Sequence, residues 1–361
     1  MSAYREIYRA EQLPIFQNRM FRSAAVAREC TRGDVVLVQS TQTGLIFNQA
    51  FEPELMRYDA DYQNEQGFSA AFQAHLQSMA KIVSRHFAGM SLIEVGCGKG
   101  LFLEQLSSMG FDIVGLDPTY EGSNPRIVKE YFTPASGIRA QGVVLRHVLE
   151  HVRDPGHFLV NLRESNGGSG RIYIEVPCLD WIARHHAWFD IFYEHVNYFR
   201  LADFHRMFSS VLEAGHCFDG QYLYAVADLD CLRPPTYRPE DKFALPPAFM
   251  SAIDDCRSRA LARGPKAAHA VWGGASKGVI FALFMERAGV PIDTVIDINP
   301  AKQGKFMAAT GLRVSSPEEG LARLPAGADL FVMNSNYLRE IQTMTAHRYN
   351  YLLVEHRGEH D

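Results

Sequence analysis

Two rhythms of apolar and polar positions run along this chain. Over residues 1–60, short apolar runs alternate with turn residues: Leu13-Pro14-Ile15-Phe16, Val35-Val36-Leu37-Val38 and Gly44-Leu45-Ile46-Phe47. Runs of that length predict short strands. The stretch 69–87 instead spaces Phe72, Leu76, Met79, Ile82 and Val83 by three and four, which is one face of a helix. Strand and helix patterns then alternate: strand 91–95, helix 99–108, strands 112–116 and 142–145, helix 155–164 and strand 171–175. Such alternation predicts a parallel, doubly wound sheet. Pro234, Pro235, Pro239, Pro246 and Pro247 break it and mark a linker. Beyond an amphipathic helix at 247–263, strand 268–272, helix 277–288 and strands 293–297, 329–333 and 350–354 predict a second, Rossmann-like sheet. The expected architecture is α/β: a small β-rich N-terminal lobe (1–68) and two Rossmann-like doubly wound domains (69–233 and, with its linker, 234–361).

Composition narrows the class. A chain of 361 residues suits two cores rather than one. It is 47% hydrophobic and 21% charged, and no apolar run approaches the roughly 20 residues of a membrane span. Met1 to Gln17 lacks the basic start, apolar block and cleavage site of a signal peptide, so a cytoplasmic location is expected. Six scattered cysteines without C-x-x-C spacing read as reduced thiols, and no metal is expected. A net charge of -5 argues against phosphate-driven nucleic-acid binding, leaving a small molecule as the expected partner.

Candidate chemistry begins at Leu92-Ile93-Glu94-Val95-Gly96-Cys97-Gly98-Lys99-Gly100, a glycine-rich turn between a buried strand and a helix. Asp117 ends the next strand, where a carboxylate can accept ribose hydroxyls. Glu94 would repel a pyrophosphate but suits the positive charges of S-adenosylmethionine. The E-x-G-x-G-x-G turn and Leu116-Asp117-Pro118 resemble the first two motifs of class I S-adenosylmethionine-dependent methyltransferases. That resemblance implies a cofactor site of Glu94, Gly96, Cys97, Gly98, Gly100, Asp117 and Pro118. Arg146 and His147 would add backbone to it, just ahead of a Leu149-Glu150-His151 and Asp154-Pro155 pattern common in such enzymes.

After strand 171–175 comes an aromatic segment, Asp190-Ile191-Phe192-Tyr193-Glu194-His195-Val196-Asn197-Tyr198-Phe199. It sets a carboxylate beside an imidazole with phenols on either side, a combination able to move a proton and steady an oxyanion. Glu175-Val176-Pro177, F-x-x-E-H-x-x-Y-F, Trp272 to Gly278 and Val295 to Pro300 resemble the sugar C-methyltransferase family. In that family an S-adenosylmethionine domain is paired with a C-terminal Rossmann-like domain that helps hold a nucleotide-linked keto-sugar. The resemblance spans about residues 10–355. It implies His195 as general base, assisted by Glu194, by Tyr193 and by Tyr62 of the N-terminal lobe, with Asn197 near the substrate. Two departures stand out: Phe192 occupies the position of the family's tyrosine, and the family's four N-terminal zinc cysteines are absent.

The second glycine turn, Gly273 to Gly278, opens a helix whose N-terminus attracts anions. Gly274, Ser276 and Lys277 are therefore expected to bind substrate diphosphate, with Asp297 suited to a ribose. Lys302, Lys305 and His347 read as a solvated face. The rivals to C-methyl transfer are O-methyl transfer, a nicotinamide-dependent reaction at the second turn, and a non-catalytic binding module.

Overall fold

The computed structural model describes residues 3–56, 62, 64–264 and 267–356. Its largest sheet has seven strands. Numbered by sequence within the sheet (Leu92–Val95, Ile113–Leu116, Ile127–Val128, Gly142–Arg146, Arg171–Pro177, Glu213–Cys217, Tyr222–Asp228), they lie in the order 3-2-1-4-5-7-6. The first five are parallel, and Tyr222–Asp228 runs antiparallel to Arg171–Pro177. The helix over Ala70–Phe87 follows the predicted periodicity. Ser69 caps it by accepting from Phe72 N, and Phe72, Leu76, Met79, Ile82, Val83 and Phe87 are buried. Each large side chain removed from water contributes about 1.5 to 3 kcal/mol before ordering costs.

The hairpin Glu213–Cys217 with Tyr222–Asp228 was not anticipated, and it makes this sheet mixed rather than wholly parallel. Its edge strand Glu-Ala-Gly-His-Cys carries no apolar alternation, so hydrophobicity gives no sign of it. Phe218, Asp219 and Gly220, all at positive φ, turn the chain.

A second sheet is five-stranded and parallel, in the order Val314–Ser315, Thr294–Ile296, His269–Trp272, Asp329–Val332, Asn350–Leu353. A third is antiparallel and joins Tyr4–Pro14, Arg32–Ser40 and Ile46–Asn48 to Asn197–Tyr198 of the aromatic segment. Met20–Phe21 pairs with Phe306–Met307, so the N-terminal strands hydrogen-bond to elements from both other parts of the chain. Among the described residues, no helix is long and apolar enough to cross a membrane.

Candidate functional site

In an open α/β sheet the place for a ligand is beyond the carboxyl ends of the strands where the strand order reverses. The seven-stranded sheet reverses between Leu92–Val95 and Gly142–Arg146, the five-stranded one between His269–Trp272 and Asp329–Val332. Residues following all four strands line one cavity of about 350 Å³. The N-terminal segment adds Asn18 and Tyr62 to the wall. A volume of this order suits a small organic ligand.

The first glycine turn forms one end of this cavity, with Glu94, Gly96, Cys97 and Gly98 in the wall. Gly96 has φ 70°, and a Cβ there would stand 2.5 Å from Val148 Cγ2. Gly98, at φ 54°, has nothing within 4 Å of where a Cβ would be, so bare backbone faces open space. Glu94 is buried and its Oε2 has no hydrogen-bond partner. Burial pushes its carboxyl up to about 7 against the pull of Arg146, and Glu175 and Asp117 add to the rise.

Three expected cofactor residues sit elsewhere. Asp117 lies outside the wall: its Oδ2 accepts from Gly98 N at 2.8 Å, and its Oδ1 from Thr119 N and Oγ1. Through these bonds it clamps the turn. Gly100 starts the helix Leu101–Ser108 and faces Ile127, and Pro118 is likewise outside the wall.

Arg146 and His147 both line the cavity. Arg146 grips Glu175 through Nε (2.9 Å) and Nη2 (3.1 Å) and stacks on Phe102. His147, at φ 51°, spans two acids, with Nδ1 3.3 Å from Glu150 Oε1 and Nε2 3.2 Å from Glu175 Oε1. Burial works against its charge, but those acids outweigh it and push the imidazole up to about 9. Burial likewise opposes ionisation of Glu175, yet Arg146, His147 and His75 hold that carboxyl well below its usual range.

In the aromatic segment, His195 and Phe192 line the cavity, the Phe192 ring centroid 4.1 Å from that of His195. Phe192 therefore offers a packing face where the resembled family has a phenol. Burial, reinforced by His151, His147 and Lys277, holds the His195 imidazole well below its ordinary value. The other expected catalytic groups are placed differently. Tyr193 points away, its ring over Gly33 and its hydroxyl accepting from Glu52 N at 2.8 Å. Glu194 is buried behind the wall and accepts from Gln17 N, Asn18 N and Tyr62 Oη. Tyr62 does reach the cavity, but its proton is directed at Glu194 Oε2, 2.7 Å away. Asn197 lies outside the wall, and its Nδ2 donates to the carbonyls of Leu149 and Val152.

The second glycine turn contributes Ser276 and Lys277, whereas Gly274 stays out of the wall and donates its N–H to Asp297 Oδ2 at 2.8 Å. Ser276, at φ 44°, is latched to Asn18 Oδ1 (2.9 Å). Lys277 Nζ lies 2.9 Å from Asp190 Oδ2 and over the Trp181 ring. Lys302 is buried on Asp297 Oδ2 at 3.2 Å, contrary to the solvated face expected. Sequence reasoning gave no role to Asp190, Glu150 or Glu175. The signal for Glu150 was present, since it lies in the one-turn helix shortly beyond the carboxyl end of strand Gly142–Arg146, but nothing in the sequence shows which way its carboxylate turns.

Fold and site together define an α/β domain joined at its cavity to a second parallel sheet. Comparison with known proteins gives the domain its name. A family profile described as "Methyltransferase domain" matches residues 65–211, so this part of the chain is similar to that family. Curated relatives include the ubiquinone biosynthesis O-methyltransferases of Methylobacterium sp. (strain 4-46) and of Azorhizobium caulinodans. The first is 33% identical over 88 residues, covering 20% of this chain and 34% of the relative. The second is 29% identical over 147 residues, covering 31% and 57%. The chain thus matches only about a third to somewhat over half the length of these relatives. Among solved structures, an S-adenosylmethionine-dependent methyltransferase from Mesorhizobium loti aligns over 44% of this chain and 100% of its own, at 12% identity and a TM-score of 0.34.

The residues present fit that domain's cofactor. Its sulfonium and ammonium groups match the orphaned Glu94 oxygen, and the open backbone at Gly98 admits close approach. Asp117 retains acceptor capacity on Oδ2 beyond its bond to Gly98.

Proposed function

We propose that the protein transfers the methyl group of S-adenosylmethionine to a carbon of a small nucleotide-linked keto-sugar, with His195 as general base. The observation that carries this reading is His195 itself, a buried imidazole held neutral in the wall of a cavity shared by the cofactor turn and the second sheet. On this reading residues 1–68 form a lobe that closes the cavity, 69–233 bind the cofactor, and 234–361 hold the sugar nucleotide. When bound, the cofactor supplies an electrophilic methyl carbon. His195 takes the proton from the carbon beside the ketone, and the electron pair left there forms the new bond to the methyl group as the carbon–sulfur pair returns to sulfur. Phe192 packs against the base, its ring centroid 4.1 Å from that of His195. Tyr62 and Glu194 act together to hold Gln17 and Asn18 in place rather than as proton donors.

A hydroxyl acceptor is the second reading, favoured by the O-methyltransferase names of the curated relatives. His195 would serve it equally.

The test is incubation with S-adenosylmethionine and a panel of thymidine- and uridine-diphosphate keto-sugars and their reduced hydroxyl counterparts, read by the mass gain of one methylene. Transfer to the keto form alone supports the first reading, and transfer to the hydroxyl form supports the second. His195→Asn should lower turnover by about 10²- to 10⁴-fold with cofactor affinity unchanged. A folded variant keeping more than about a tenth of its turnover removes His195 as the base.

A further inference from the structure

His195 faces a difficulty as a base. The groups around it are His151, the His147 imidazolium and Lys277, and each disfavours the positive charge that proton uptake would create. Of the nearby carboxylates, Glu194 turns its oxygens to Gln17, Asn18 and Tyr62, and Asp190 is paired with Lys277. Glu150 differs. It is 1% exposed, it lines the cavity, and one of its oxygens, Oε2, is buried with no hydrogen-bond partner. Its other oxygen is held by His147. One ligand atom each from Glu150, His151 and His195 lie within 4.8 Å of one another.

The backbone fixes this arrangement. Val196 N donates to the Glu150 carbonyl at 2.8 Å, His151 Nδ1 lies 2.9 Å from the Glu194 carbonyl, and Asn197 Nδ2 donates to the Leu149 carbonyl. Residues on both sides of His195 are thus stitched to the one-turn helix Leu149–His151 that carries Glu150. Positions locked in this way act without reorganisation when charge develops.

We propose that Glu150 is the positioning residue of the base: its free Oε2 pairs with the imidazolium formed when His195 takes the substrate proton. The proton moves from substrate to the His195 ring and stays there until it exchanges with solvent after product leaves. Glu150 takes up no proton in this step and acts only as the partner of the imidazolium. The inference rests on the reading of His195 as base, so the experiment separates the two.

Glu150→Gln, Glu150→Asp, His195→Asn and the double variant His195→Asn/Glu150→Gln are compared for melting temperature, cofactor affinity and the pH profile of kcat/KM on the sugar of the panel that the wild type methylates. The acid limb of that profile reports the base. Glu150→Gln should lower kcat by about 10- to 100-fold and move the limb to lower pH, because the imidazolium loses its counter-charge. Glu150→Asp should recover part of both. The double variant should be no slower than His195→Asn alone, since Glu150 acts only through His195. If His195→Asn stays active, or no sugar of the panel is methylated, the base reading fails and this inference falls with it. If His195→Asn is inactive while Glu150→Gln keeps its rate and its acid limb, only the role of Glu150 is overturned. Loss of rate with an unmoved limb makes Glu150 merely structural. Nitrogen-15 spectra of the histidine rings need no substrate: an unchanged His195 titration in Glu150→Gln would also overturn the pairing. So would stoichiometric zinc or cobalt binding to wild type that Glu150→Gln abolishes, because the free oxygen would then belong to a metal.

Discussion

Glu94 gives the cofactor assignment a pH signature. Its carboxyl is buried at the glycine turn, lacks a partner on Oε2, and is pushed up to about 7 by burial. A ligand that brings a cation to that oxygen must ionise the carboxyl and so release a proton at neutral pH. If the cation returns Glu94 to its ordinary 4.5, affinity at pH 6 is about tenfold weaker than at pH 8, or about 1.4 kcal/mol. His147, pushed up to about 9, changes little across that interval. Calorimetric titration with S-adenosylmethionine from pH 6 to 8, in buffers of different ionisation enthalpy, measures both affinity and proton release. Glu94→Gln should give a flat profile, at or below the wild-type affinity at pH 6. The ligand's own amine titrates alike in both proteins, so their difference isolates the carboxyl. On the ligand-free fold the sign reverses: the unfolded chain ionises Glu94 near 4.5 and the fold only near 7, so stability is lost as pH rises through that window. A wild-type affinity independent of pH, or a slope that survives Glu94→Gln, refutes the reasoning.

Asp117→Ala removes the acceptor of Gly98 N and of Thr119, and should weaken S-adenosylmethionine binding by about 1.5 to 3 kcal/mol in calorimetry. A folded variant with wild-type affinity would show that the turn needs no clamp. Tyr193→Phe loses one hydrogen bond to the Glu52 backbone, so denaturant unfolding should show a loss of about 1 kcal/mol while turnover holds within about twofold. A collapse in turnover at unchanged stability would return Tyr193 to the active site.

What could be read from the sequence was what a period or a turn encodes. The helix Ala70–Phe87 showed in its three- and four-residue spacing, and the strands before both glycine turns showed as apolar runs ahead of glycine. The hairpin Glu213–Asp228 did not show, because Glu213–Cys217 is a polar edge strand recognised only through its partner. Side-chain direction was the larger gap. Tyr193 and His195 are two residues apart, yet one packs on the N-terminal lobe and the other faces the cavity, since Asn197–Tyr198 pairs with Ile46–Asn48 and fixes the rotation of the segment. Asp117 stands out in the sequence as an acid after a strand, but its bond to the Gly98 N–H does not, because no residue pattern displays a backbone donor.

The two glycine turns are built alike, and their difference in charge assigns them different partners. In each, the aspartate ending the next strand accepts from the turn and from the residue two beyond itself: Asp117 from Gly98 and Thr119, Asp297 from Gly274 and Asn299, all four at 2.8 Å. That shared clamp explains why an aspartate at this position says little by itself about a ribose. Two residues before the first glycine, however, stand Glu94 in one turn and Val271 in the other. The first turn therefore holds an uncompensated acid and can distinguish a cation. At the second, both nearby lysines are matched, Lys277 by Asp190 and Lys302 by Asp297. A diphosphate there would have to share or displace a carboxylate that already partners one of these lysines. The partnerless Glu94 oxygen thus makes the first turn the better match of the two for a cationic ligand.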